Sequence, residues 1–286
     1  MKGLKALRTL GDFVRWEHSI FALPFVYMGA MLAAGGIPGL RVIVLVTVAA
    51  VAARTSALAI NRIVDRQLDA LNPRTQDRPL VTGAVTLPQA AGLAVVSTLV
   101  LMAAAAGLNR LALYLSPIPV LAFVVYPYTK RFTWACHGFL GLAQAFGPMG
   151  GWIAVRGRLD LPGVVLGVAV GLWIGGFDLL YALMDIDFDR EHGVFSFPAR
   201  FGVPATLALA RLTHVVVLLM LASLYLWLPL GLFYAVGLAG TAYLMWSEHR
   251  LVSPGDLSRV NRAFFDMNGW ISVVMFAGTL LGVIWS

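Results

Sequence analysis

The chain has 286 residues, 59% of them hydrophobic and only 12% charged, half of the roughly 25% usual in a soluble domain. This composition excludes a disordered chain and a water-soluble globule, and the lone cysteine, Cys136, excludes an internal disulfide framework. A net charge of +7 would suggest nucleic acid in a soluble protein, but here the cations sit between apolar runs, where they act as topology signals, and no nucleic-acid partner is expected.

Apolar runs long enough to cross a bilayer follow one another. In chain order they predict spans at about 19 to 36, 41 to 60, 87 to 106, 110 to 128, 134 to 155, 162 to 184, 204 to 224, 226 to 246 and 264 to 285. Turn-forming residues separate them: Gly35-Gly36-Ile37-Pro38-Gly39, Asn72-Pro73, Val203-Pro204, Leu228-Pro229 and Ser253-Pro254-Gly255. The expected fold is therefore an all-α integral membrane bundle of about nine helices, forming one domain over residues 1 to 286. With the N-terminus inside, 17 of the 21 Lys and Arg residues fall on one side, and only Arg41, Arg110, Arg156 and Arg158 on the other. That bias places the N-terminus in the cytoplasm and the C-terminus outside; an eight-span layout would bring the C-terminus inside. The basic start and first apolar run pass directly into further spans, so no cleaved signal peptide is expected.

Carboxylates near membrane spans are costly and mark function. Eight of the fourteen acidic residues lie in two stretches, 61 to 80 after the second span and 178 to 193 at the end of the sixth. In the first, Asn61, Asp65 and Asp69 are spaced i, i+4, i+8 and share one helix face; in the second, Asp178, Tyr181, Asp185 and Asp189 do the same. Like charges at this spacing repel one another and call for a cation. Oxygen donors without His or Cys favour Mg2+ or Ca2+ over zinc, and Mg2+ usually takes one or two carboxylates together with substrate phosphates. Both stretches reach the same membrane face, so together they suggest a diphosphate site bridged by magnesium. The tails Arg78-Pro79-Leu80-Val81-Thr82-Gly83 and Pro198-Ala199-Arg200-Phe201-Gly202 are loosely alike, which hints at two related halves.

Three segments carry a specific resemblance. Asn61-x-x-x-Asp65-x-x-x-Asp69, Tyr126-Pro127-Tyr128-Thr129-Lys130-Arg131 and Tyr181-Ala182-x-x-Asp185-x-x-x-Asp189 resemble the motifs of the UbiA-type intramembrane aromatic prenyltransferases, over essentially the whole chain. The resemblance implies nine helices around a central cavity facing the cytoplasm. It implies Mg2+-dependent transfer of a polyprenyl group from its diphosphate to an aromatic acid. By the same resemblance Asn61, Asp65, Asp69, Asp185 and Asp189 would hold the metal and diphosphate, Lys130 and Arg15 would contact the diphosphate, and Tyr181 would face the reacting carbon. One departure is Arg62, where many members carry Asp after the leading Asn; Asp187 is an extra acid within the second motif. The 17 to 24 and 72 to 75 segments are most similar to the branch that prenylates 4-hydroxybenzoate or related naphthoates in ubiquinone or menaquinone synthesis.

The chemistry assigns further roles. Ionisation of an allylic C–O bond develops charge on the leaving diphosphate, which Lys130, Arg131, Arg74 and Arg78 can offset. Tyr181, Tyr126 and Tyr128 can stabilise the allylic cation through their ring faces. Apolar helices exclude water, and a long prenyl tail needs an opening to membrane lipid. Asp178, one turn deeper than Tyr181, either accepts a hydrogen bond from the aromatic acceptor or pairs with a basic residue.

Other polar groups have plainer readings. Arg54 snorkels or pairs internally, Glu17 and His18 join an interfacial belt, and His192, His214 and His249 lack metal-site spacing. Cys136 beside His137 serves helix packing. Gly171-x-x-x-Gly175 serves close packing within the bundle or a dimer face. Two other functions use the same acids: an ion-coupled transporter with a paired-carboxylate cation site, and a Mg2+-using transferase of nucleotide-activated head groups, which would carry a single compact acidic motif instead of two.

Overall fold

The computed structural model describes residues 13, 19 to 262 and 266 to 285. Within them the chain is helical, without a β-sheet, and nine principal helices match the nine expected spans: α1 (Ser19–Ala34), α2 (Leu40–Leu71), α3 (Leu87–Leu108), α4 (Arg110–Thr129), α5 (Cys136–Arg156), α6 (Leu161–Tyr181), α7 (Phe197–Ser223), α8 (Leu232–Leu251) and α9 (Asn268–Ile284). Among the described residues α2, α3, α4, α7 and the run Leu161–Glu191 built on α6 are long and apolar enough to cross a membrane. Their outward faces carry side chains such as Val95, Leu99, Leu121, Leu212 and Leu219, each more than half exposed. A soluble protein would bury them; a lipid-embedded one has no reason to.

Three boundaries differ from the sequence reading for physical reasons. α2 continues past residue 60 to Leu71 as one helix of 32 residues, about 48 Å at 1.5 Å per residue, which outreaches the roughly 30 Å hydrocarbon layer. Its last three turns thus carry Asn61, Asp65 and Asp69 beyond the apolar run. α7 begins at Phe197 rather than 204, because Ser196 caps it through Oγ to the Ala199 N–H and Pro198 occupies the first turn. Gly202, at φ 79°, then breaks this helix just before Pro204, a backbone state that glycine adopts without steric cost. α8 starts at Leu232 because the turn Leu224–Leu226 and Pro229 delay it.

α1 lies at the centre, packed on α5 and α9, while α2 pairs with α3, α5 with α6, α6 with α7 and α8 with α9. The α5–α6 contact is backbone on backbone: a Cβ on Gly141 would sit 2.4 Å from the Gly171 carbonyl oxygen, and one on Gly175 3.2 Å from that of His137. Gly171 and Gly175 therefore serve packing within the bundle. The largest core rings are Trp152, Trp173, which lies 4.7 Å from Phe25 and 5.1 Å from Phe177 between centroids, and the fully buried Tyr234.

Candidate active site

A cavity of about 520 Å³ lies among α1 to α6. Val46, Ala50, Ala53, Ala57, Leu101, Ala105, Ala112, Ala143, Gly147, Val170 and Ile174 make most of its wall apolar, and small side chains along α2 make room for it. Arg54, Asn61, Ser116, Tyr126 and Gln144 are its polar lining. Asn61 and Tyr126 mark the end at which the acidic residues begin.

The acids of α2 are held by cations from neighbouring loops. Asp65, 2% exposed, receives Lys130 Nζ at 2.6 Å and Asn61 Nδ2 at 2.9 Å on Oδ2. Its other oxygen, Oδ1, is buried without a hydrogen-bond partner, 4.0 Å from Arg131. Asp69 takes Arg78 Nη1 on both oxygens, at 2.7 and 2.6 Å. The turn of residues 72 to 75 then crosses to the second acidic stretch. Asn72 Nδ2 donates to Asp185 Oδ1 at 3.0 Å, and Arg74 grips the same carboxylate through Nε at 3.1 Å and through Nη2. Arg74 Nη1 also donates to the Tyr181 hydroxyl at 2.6 Å, and its guanidinium lies 4.8 Å from the Tyr181 ring centroid. Burial by itself lowers the Arg74 pKa, but the Asp185 hydrogen bond and the charges of Tyr181, Asp185 and Asp69 raise it above its ordinary value. Arg74 is therefore firmly cationic.

Asp189 follows one turn after Asp185 and accepts the Ser196 hydroxyl at 2.6 Å. The Phe195 N–H donates to the Lys130 carbonyl at 2.7 Å, so the loop before α7 is tied to the residue that serves Asp65. The electrostatic neighbours of Asp189 are Asp185, Lys130 and His137. The two acidic stretches thus converge with Lys130, Arg131, Arg74 and Arg78 around them.

The remaining expected residues fall in different places. Tyr126 is half-buried on the cavity wall, whereas Tyr128 is 46% exposed, stacked under Arg131 at 5.0 Å and away from the cavity lining. Arg131 also binds the Val64 carbonyl at 2.7 Å. Asp178 pairs with a basic residue, His137, at 2.6 Å. Asp187 is exposed. Arg62 is buried and lies 5.6 Å over the Phe13 ring. Arg15, Glu17 and His18 lie outside the described residues. Residues to which the sequence assigned no site role also appear: Asn72 and Ser196 as carboxylate donors, His137 as the partner of Asp178, and Gln144 in the cavity, where it is joined by Arg54, read from the sequence only as a snorkelling or internally paired cation. Asn72 was visible only as a turn residue; His137 had no signal beyond its place at the start of a span.

Among the described residues no three acidic, His or Cys side chains gather closely enough to hold a metal ion by themselves. The donor set nevertheless suits magnesium. It consists of oxygens in pairs, Asp65 with Asp69 and Asp185 with Asp189, and one buried oxygen, Asp65 Oδ1, lacks a partner, which is what an ion completed by phosphate oxygens would require.

Comparison with known proteins identifies relatives of the whole chain. The model of the UbiA prenyltransferase family matches residues 22–276. A 4-hydroxybenzoate octaprenyltransferase from Nitrosospira multiformis is 32% identical over 253 residues, 88% of this chain and 87% of that protein. One from Xanthomonas euvesicatoria is 34% identical over 256 residues, 88% of this chain and 83% of that protein. Among solved structures, an apo UbiA homologue from Aeropyrum pernix superposes with a TM-score of 0.84 at 35% identity, covering 93% of this chain and 98% of that one. A UbiA homologue from Archaeoglobus fulgidus bound to DMAPP and Mg2+ shares the fold at a TM-score of 0.77 and 18% identity, covering 97% of this chain and 100% of that one.

Proposed function

Given that the chain belongs to the UbiA prenyltransferase family, we propose that it joins a polyprenyl group from its diphosphate to the ring of 4-hydroxybenzoate, at the cytoplasmic face of a bacterial membrane and with Mg2+. The observation that carries this reading is the convergence of the α2 and α6 acids at one end of an apolar cavity, bridged by Asn72 and Arg74. The chain is an integral membrane prenyltransferase, so the transporter alternative falls. The choice of acceptor is supported by relatives named for 4-hydroxybenzoate; a naphthoate acceptor, and with it menaquinone rather than ubiquinone synthesis, is the competing outcome of the test.

The residues divide the work. Asn61, Asp65, Asp69, Asp185 and Asp189 would hold magnesium, which supplies a positive charge against which the diphosphate leaves. Lys130, Arg74, Arg78 and Arg131, now engaged with the carboxylates or with backbone close by, exchange those partners for phosphate oxygens. Charge developing on the leaving group is thereby met by preorganised donors. The apolar wall receives the first part of the prenyl tail and keeps water from the allylic cation, and the tail continues into lipid. Tyr126 on the wall and Tyr181 beside Arg74 offer ring faces to that cation, worth about 2 kcal/mol each when desolvated. Arg54, the cation among the cavity-lining residues, takes the acceptor carboxylate.

The test is product analysis by mass. Purified protein receives a polyprenyl diphosphate with either 4-hydroxybenzoate or 1,4-dihydroxy-2-naphthoate, and either Mg2+ or EDTA. A Mg2+-dependent product from 4-hydroxybenzoate alone supports the reading. Product from the naphthoate alone replaces the acceptor, and no product from either in folded protein overturns the proposal.

A further inference from the structure

Gln144 is the one polar side chain in the interior of α5: between His137 and Trp152 every other residue is apolar or glycine. An amide inside a span is costly unless it finds a hydrogen bond, and Gln144 makes none to any described residue. Its direction supplies a reason. Leu140, Gln144, Gly147 and Gly151 fall at i, i+4, i+7 and i+11 on one face of α5, and all four line the cavity. The amide is half-buried and opens into that space. Other polar groups of the wall are committed: Ser116 Oγ donates to the Leu113 carbonyl at 2.8 Å and Asn61 Nδ2 to Asp65 at 2.9 Å. On α2, which packs on α5, Ala50, Arg54, Ala57 and Asn61 repeat the same spacing along the cavity. Arg54 stands seven residues inward of Asn61, and Gln144 seven inward of His137, about 10 Å in each case. A cation and an amide thus lie two turns in from the acidic end, on two packed helices, in a wall that is otherwise mostly apolar.

Only one of the two substrates has a use for them at that depth. A prenyl tail carries no hydrogen-bonding atom, and the diphosphate belongs with the acids at the cavity end. An aromatic acid carries a carboxylate, whose two oxygens offer about four acceptor positions, more than one side chain fills. We propose that Gln144 determines the choice of acceptor: its Nε2–H donates to the acceptor carboxylate, across the cavity from Arg54. This rests on the transfer to an aromatic acid proposed above. The selectivity comes from what is left behind. A site built to hydrogen-bond one group rejects the analogue that lacks it, because the site's own polar group is then desolvated without a partner.

The experiment measures acceptor affinity by titration calorimetry of the full chain in detergent, with Mg2+ and farnesyl S-thiolodiphosphate, an unreactive donor, so that binding is read apart from turnover. Wild type is compared with Gln144→Met, which keeps the length and removes the amide, and with Gln144→Glu. The acceptors are 4-hydroxybenzoate and 4-hydroxybenzamide, in which an NH2 group replaces one carboxylate oxygen. Gln144→Met should weaken 4-hydroxybenzoate by about 10-fold or more, weaken the benzamide less, and leave Kd for the thiolodiphosphate within about twofold. Gln144→Glu should weaken the acid further through like charge and reverse the preference, since the benzamide N–H can donate to the introduced carboxylate. A residue that only supports the fold would move both acceptors together. Equal losses on both acceptors, a raised donor Kd, or unchanged affinity for the acid would each overturn the assignment. If Gln144→Glu does not fold, the unequal losses in Gln144→Met decide alone. Wild type that binds 4-hydroxybenzoate yet forms no product from a reactive donor overturns the transfer reading and leaves this contact standing; wild type that does not bind it overturns the contact.

Discussion

Arg74, five residues after the last acid of α2, donates through Nε to Asp185 on the far side of the site at 3.1 Å and binds the Tyr181 hydroxyl at 2.6 Å. One guanidinium thus links the two acidic stretches and holds the Tyr181 ring against them. Arg74→Gln removes the charge and the fork. Hydrogen bonds to charged groups contribute about 1.5–3 kcal/mol, so kcat/KM for the prenyl diphosphate should fall roughly 10- to 100-fold, read from initial rates across donor concentrations. Arg74→Lys should recover only part of this, since a point charge cannot engage Asp185 and Tyr181 together.

Asp65 concentrates the consequences of pairing. Its Oδ2 is bound by Lys130 and Asn61, and its Oδ1 has no hydrogen-bond partner. Asp65→Asn should abolish Mg2+-stimulated turnover while the protein still folds, because the amide keeps the shape. Lys130→Ala should be worse for stability, since it strips a buried carboxylate of its cation, a change that costs about 3–5 kcal/mol for buried pairs. Thermal unfolding in detergent, with and without Mg2+, separates the two; equal melting temperatures for both variants would contradict this.

Much of this architecture could be read from the sequence, and the limits are physical. Apolar runs located all nine helices because lipid imposes a length that periodicity reveals. They misplaced the start of α7 because Ser196 caps the helix ahead of the break at Gly202 and Pro204 that reads as its boundary, and the start of α8 because hydropathy does not register the turn Leu224–Leu226 and Pro229. The acidic motifs were visible as repeated spacing on two helix faces. Their partners were not. Asn72 and Arg74 lie 113 and 111 residues from Asp185, and His137 lies 41 from Asp178; no local pattern records such distances. Tyr128 shared a motif with Tyr126, yet two residues along a helix turn a side chain to another face, and only Tyr126 reaches the cavity.

Arg54 belongs to the cavity rather than to the acidic site. Arg54→Ala should therefore raise KM for the aromatic acid at least tenfold and leave KM for the prenyl diphosphate within about twofold, consistent with loss of one charge-assisted contact of about 1.5–3 kcal/mol. A matching rise in both constants would mean that the side chain supports the site as a whole.

The α5–α6 interface tolerates no side chain at its crossing. Gly141→Val would drive a branched group into the Gly171 carbonyl, 2.4 Å from where its Cβ must stand. Overpacking of this kind costs about 1–3 kcal/mol or more, and the displaced helices carry His137 and Asp178. Lower yield of folded protein, a depressed melting temperature and lost turnover should appear together, whereas Gly138→Ala, where an added Cβ meets nothing within 4 Å, should leave all three unchanged.

The spacing of the ion pairs also bears on how the chain is made. Asp69 meets Arg78 nine residues after it is synthesised, and Asp189 meets Ser196 seven residues on. Asp178 and Asp185 emerge after His137, Asn72 and Arg74. Among the paired acids of the site, Asp65 waits 65 residues for its cation, Lys130. Until α4 is complete, Asn61 is therefore the side chain available to this carboxylate, and its charge is balanced only when the loop after α4 arrives.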